Sequence, residues 1–156
     1  MRSSRPSWRS RIRPALVALV LAIAAAGCGS GATASPTGPA VTDAWVRLPA
    51  PMQSFAAAYF TVSGGSQADS IVGAASPIAT DVSLHQTVTD ASGMTGMEAV
   101  DRVDVPAGGT VEFAPGGFHV MLDGLTGTLS VGQTVELTLT FEHAGPITVQ
   151  AVVRQG

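Results

Sequence analysis

Thr134-Val135-Glu136-Leu137-Thr138-Leu139-Thr140-Phe141 alternates without a break. Val135, Leu137, Leu139 and Phe141 share one phase, and Thr134, Glu136, Thr138 and Thr140 the other. Successive side chains of an extended strand point to opposite faces, so this stretch predicts a strand with one apolar and one wetted face. Such a strand must bury its apolar face against another layer, which implies two packed sheets.

Working outward, short runs of branched and aromatic residues are separated by Gly, Pro, Asp and Ser clusters, and no stretch repeats at a helical period. Strands are predicted at 42–47, 55–63, 70–75, 82–89, 94–101, 110–113, 119–122, 134–141 and 147–153, with Gly145 and Pro146 forming the corner before the last. The folded part is expected to be an all-β sandwich.

The N-terminal end is of another kind. Arg2, Arg5, Arg9, Arg11 and Arg13 precede a small and apolar run over 15–26, the pattern of a secretory signal. That run is shorter than the roughly 20 residues a membrane span needs. It ends in Ala25-Ala26-Gly27-Cys28, which resembles a bacterial lipobox even though Ala25 stands where leucine is usual, so Cys28 is the expected lipidation site. The predicted organisation is a signal at 1–27, a lipidated N-terminus with a flexible Gly, Ser, Ala, Thr and Pro tether at 28–40, and a β domain at 41–156.

Charge and cysteine usage exclude whole classes of function. After residue 27 only Arg47, Arg102 and Arg154 remain against eleven acidic residues, and there is no lysine. An acidic domain of this kind is not a nucleic-acid binder, because that affinity rests on Lys and Arg neutralising phosphates. Cys28 is the only cysteine, so neither an intrachain disulfide nor a blue-copper thiolate site can form within the fold. No nucleophile elbow or phosphate-cradling loop is present, and an enzyme is not expected.

A different chemistry is carried by His85, Met97, His119 and Met121. His119 and Met121 are two apart, so they share a strand face while Val120 and Leu122 point to the core. The segment from His85 to Met97 has a turn composition at its middle. A hairpin centred on Ala91 places His85 opposite Met97 and Val88 opposite Met94, whereas a loop one residue longer leaves Met97 diagonal to His85. Two imidazoles and two thioethers form a soft, neutral donor set that suits Cu(I) and not Mg²⁺ or Ca²⁺.

Taken singly, a histidine is more often an ordinary hydrogen-bonding residue and a methionine more often core filler. In the same phase analysis Met94 is expected in the core, although Glu98 shares its phase, a conflict that a twist, a bulge or an edge position would resolve. Trp45, Tyr59 and Phe60 are expected to pack in the core, Phe118 to shield the metal, Met52 to sit in a loop, and His143 to be solvent-exposed.

The spacing of His85, Met97, His119 and Met121 is similar to that of the PCu(A)C family of periplasmic copper chaperones. Ala44-Trp45-Val46-Arg47, Ala57-Ala58-Tyr59-Phe60, Val105-Pro106-Ala107-Gly108-Gly109 and Pro115 through Leu122 extend the resemblance over nearly the whole domain. Gln86 stands where some relatives carry a methionine, and the end Val152-Val153-Arg154-Gln155-Gly156 lacks the His- and Met-rich tail of others.

The resemblance implies a cupredoxin-like (Ig-like) β-sandwich that binds one Cu(I) ion through these four residues and hands it on. Its partners would be a client cuproprotein, such as the copper subunit of cytochrome c oxidase, or another copper chaperone, with the membrane reached through the lipid anchor. The competing reading is a lipid-anchored interaction module that transfers no metal.

Overall fold

The computed structural model describes residues 37–156. The expected secretory signal, Cys28 and most of the expected tether lie outside the described residues. Among the described residues there are ten strands and no helix. They are β1 (Ala40–Arg47), β2 (Ala56–Ser63), β3 (Asp69–Ala75), β4 (Ala79–Thr89), β5 (Thr95–Ala99), β6 (Val103–Val105), β7 (Thr110–Phe113), β8 (Phe118–Leu125), β9 (Thr134–Phe141) and β10 (Gly145–Arg154). The fold is all-β and cupredoxin-like.

Hydrogen bonding joins all ten strands in the order β5-β4-β8-β7-β2-β1-β10-β9-β3-β6, with β8 also paired to β2. The two layers are therefore not separate sheets, as alternation alone suggested. They are continuous through a parallel pairing in which Trp45, Val46 and Arg47 of β1 meet Val152, Val153 and Arg154 of β10. Alternation along one strand reports its faces and says nothing about whether a neighbouring strand bridges two layers.

The apolar faces meet in one core. Leu84 from near one end of the strand order and Val103 and Val105 from the other belong to the same buried cluster, with Phe60, Phe113, Leu137, Leu139 and Phe141 between them. A single sheet can bring both ends to one core only by folding over itself. In β9 the buried residues are Val135, Leu137, Leu139 and Phe141, the phase expected from their sequence.

Two local features fix which side chains reach the outer face of the sheet. Strand β1 carries a bulge between Thr42 and Trp45 against β2, where Asp43 adopts a φ of 55°. The extra residue resets the phase, so Ala44 and Val46 enter the core while Trp45 and Arg47 face outward. The β4–β5 hairpin closes through Asp90, whose carboxylate accepts from the Ser92 backbone N–H (2.8 Å), the Ser92 hydroxyl (2.6 Å) and the Met94 N–H (3.0 Å). Gly93 follows at a φ of 82°, a left-handed position suited to glycine.

That turn sets a register other than the expected one. His85 pairs with Ala99 and Thr87 pairs with Met97, so Met97 does not face His85. The loop spans Ala91-Ser92-Gly93 and is closed by Asp90 N–H donating to the Met94 carbonyl (2.9 Å), which centres the turn on Ser92 and not on Ala91. Moving the centre by one residue slips the pairing by two, so Met97 keeps the face of His85.

Candidate metal centre

Strands β4 and β8 carry core residues in one phase and candidate donors in the other. Leu84, Val120 and Leu122 belong to the buried core, whereas His85, His119 and Met121 lie on the opposite face of the sheet. The β4–β8 register pairs His85 directly with His119 and Ser83 with Met121. The two imidazole rings stand 5.7 Å apart between centroids.

Each ring has one nitrogen bonded and one without a partner. The protonated Nδ1 of His119 donates to the Gly117 carbonyl at 3.2 Å, and the Nε2 of His85 lies 3.0 Å from the Ser83 hydroxyl. The Nδ1 of His85 and the Nε2 of His119 are buried and have no hydrogen-bond partner. A buried polar atom left unpaired costs about 1–3 kcal/mol, so two on facing rings call for an occupant that accepts lone pairs. Metal–nitrogen bonds of about 2.0 Å would set two ligating rings roughly 5–6 Å apart, a range that includes the observed separation. With a carbonyl fixing the His119 proton on Nδ1, its Nε2 lone pair is free. Burial is the main force holding the His119 imidazolium below the ordinary histidine range; the Gly117 bond opposes it and the neighbouring His85 adds to it.

The sulfur donors differ in exposure. Met121 is 9% exposed and Met97 58%. Both line a pocket of about 620 Å³ together with His119, Tyr59, Phe55 and Arg47. His85 is not on the lining of this pocket; it stands beside His119 on the adjacent, directly paired strand. Three of the four expected residues thus open onto one cavity and the fourth adjoins it. Among the described residues there is no cluster of three or more His, Cys, Asp or Glu that offers a competing site.

The chain matches the family described as "Putative lipoprotein LpqE-like" over residues 39–153. It belongs to that family. A relative in Leifsonia xyli subsp. xyli, named "Putative lipoprotein Lxx21020", is 38% identical over 115 residues, which is 73% of this chain and 68% of that protein. Among solved structures, the copper(I)-bound form of DR1885 from Deinococcus radiodurans is 36% identical, with 81% of this chain and 84% of that one covered at a TM-score of 0.61. The copper-bound PCuAC domain from PmoF2 is 27% identical, with 79% and 97% covered at a TM-score of 0.65.

Several expectations around the site need correction. Phe60 is in the core, but Trp45 and Tyr59 are on the outer face with the candidate donors, because they fall in the opposite phase of β1 and β2. Tyr59 is 5% exposed, with its ring 4.6 Å from that of Trp45 and 6.4 Å from that of His119. Phe118 packs against Phe113 at 5.7 Å on the core side and does not cover the donors. Met94 is 69% exposed at the end of the hairpin loop, and Glu98 is exposed because β5 is an edge strand with every residue open to solvent. Met52 does lie in a loop, fully exposed, and His143 is exposed as expected, with its ring 3.2 Å from the Asp69 carboxylate.

Ser83 and Gly117 were missed. Ser83 lies two residues before His85 in β4, the spacing that puts both side chains on one strand face, whereas Gly117 acts through its backbone carbonyl just before β8, which no side-chain pattern marks.

Proposed function

We propose that this chain binds a single Cu(I) ion through His85, Met97, His119 and Met121 and passes it to another extracytoplasmic protein. The observation that carries the reading is the pair of buried, unpartnered imidazole nitrogens on directly paired residues of β4 and β8. Met121 on the same strand as His119 and Met97 on the hairpin supply soft neutral donors beside them. Thioethers need no deprotonation, so they suit Cu(I) where protons compete. Copper-bound solved structures at 36% and 27% identity to this chain support copper binding.

On this reading the chain acts as a PCu(A)C-type chaperone, with Cys28 lipidated and the segment to residue 40 tethering the domain to the outer side of the cell membrane. Delivery towards a copper subunit of cytochrome c oxidase, or to another chaperone, is the client class the resemblance suggests. Ligation by Nδ1 requires the His85 proton on Nε2, where the Ser83 hydroxyl, 3.0 Å away, can accept it.

The test is a Cu(I) titration of residues 28–156 against a competing chelator, with Cys28→Ser to remove the thiol. Wild type retains one equivalent, and Met97→Ala/Met121→Ala loses it. Equal retention by both proteins refutes the ligand assignment, and a wild type that retains no copper favours the interaction module without metal.

A further inference from the structure

After residue 27 the chain has three arginines against eleven acidic residues, a net charge of −8 with histidine neutral. Arg102 is consumed internally by Asp104 (3.1 Å) and Glu142 (2.8 Å). The other two, Arg47 and Arg154, take part in none of the ion pairs among the described residues. They are direct partners in the parallel β1–β10 register, exposed side by side. Like charges at paired positions destabilise a sheet, so this placement opposes stability.

Both guanidinium groups are spread over aromatic rings on the face that carries the candidate donors. Arg47 lies 5.6 Å from the Tyr59 centroid and Arg154 6.0 Å from that of Trp45. Arg47 also lines the pocket shared by Met97, His119 and Met121, and among the described residues no carboxylate lines that pocket. Gly156 lies against the Arg47 side chain without forming an ion pair.

We infer that Arg47, Arg154, Trp45 and Tyr59 form a docking face for an acidic segment of the protein that receives the ion. An acidic partner is repelled by the rest of this domain and attracted only here, which turns the pocket mouth toward it. Charge of this kind orients encounter complexes and sets their salt dependence more than it deepens affinity. The concave apolar pocket beside the cations fits side chains of a protein segment, and a net charge of −8 opposes approach to an anionic membrane. The purpose assigned to the face rests on the copper reading; the binding itself does not.

Trp45 is the only tryptophan after residue 27, so its fluorescence reports on this face alone. Residues 28–156 are titrated with a short glutamate-rich peptide, with its lysine-rich counterpart, and with vesicles of phosphatidylglycerol and phosphatidylcholine, each with and without Cu(I). The glutamate peptide is expected to change Trp45 emission, to weaken with added salt, and to bind about tenfold less tightly to Arg47→Gln/Arg154→Gln. Arg47→Lys/Arg154→Lys retains most of the binding, which separates charge from folding. Equal binding by the Gln pair, no response to the glutamate peptide, or arginine-dependent binding to vesicles alone overturns the proposal. Loss of copper binding with peptide binding intact would instead sink the copper reading and leave the docking face.

Discussion

Replacing His119 by leucine should make the copper-free protein more stable and the copper-loaded protein less so. His119 is 3% exposed and its Nε2 has no partner, a deficit of about 1–3 kcal/mol in the folded state. The substitution removes that deficit and also forfeits the Nδ1–H bond to Gly117, worth about 0.5–1.5 kcal/mol. The balance favours leucine by about 1 kcal/mol, or roughly 4 °C in Tm for a domain of this size. With free Cu(I) at a hundred times its dissociation constant, wild type gains about 2.7 kcal/mol by mass action and the variant gains nothing. Thermal unfolding followed by circular dichroism, with and without Cu(I) under anaerobic reduction, should therefore give curves whose order reverses on adding the metal. A variant that is less stable without copper, or that is stabilised by copper as strongly as wild type, would refute the reasoning.

Acid should act through two groups with separate windows. Because the folded protein holds the His119 pKa below its unfolded value of 6.5, the unfolded chain takes up that proton first. Its contribution to stability is intact above about pH 6.5 and declines as pH falls through the lowered pKa, so copper-free melting temperature should drop over that range in wild type and stay flat in His119→Leu. Asp69 is buried, which by itself raises its pKa, but N–H groups of His143, Ser70 and Ala144 outweigh burial and hold it at about 2 against 3.8. It stabilises above pH 3.8 and that share is lost as pH falls toward 2. Asp69→Asn should cost about 2 kcal/mol near neutrality and remove this acid step, as read by urea unfolding at pH 7 and near pH 2. Mild peroxide should oxidise Met97, at 58% exposure, ahead of Met121 at 9%; peptide mass spectrometry reads the order, and Met121 oxidising first would contradict its burial.

The legible part of this fold was the part governed by local periodicity. Thr134 to Phe141 forms β9 with the expected buried phase, and the spacing of His119 and Met121 puts both on the face opposite Val120 and Leu122. What failed depended on distant pairing or on turn geometry. Val103–Val105 is too short to alternate visibly, and it is a strand because β3 pairs with it. His85 and His119 are brought opposite each other by the β4–β8 register across 34 positions, which no spacing rule encodes. The hairpin register was missed because Asp90 and Gly93 select a three-residue loop, yet Met97 kept its face because the slip was even. The phase of Trp45 is reset by the bulge at Asp43, and no residue pattern announced a left-handed aspartate there.

The gradient of exposure across the candidate donors bears on how an ion could leave. His119 and Met121 come from β8, an interior strand of the sheet, while Met97 stands on β5, the edge strand at one end of the strand order. If Cu(I) is held as proposed, exchange begins most cheaply at Met97. A thioether can be displaced by an incoming neutral donor without moving a proton or creating a buried charge, and its loss uncovers no core surface because every residue of β5 is already exposed. Displacing His119 first would return an unpartnered buried nitrogen to the fold before the ion had gone. A partner docked over Arg47 and Arg154 meets the same pocket that Met97 lines, so the donor easiest to replace lies on the cavity where the partner arrives.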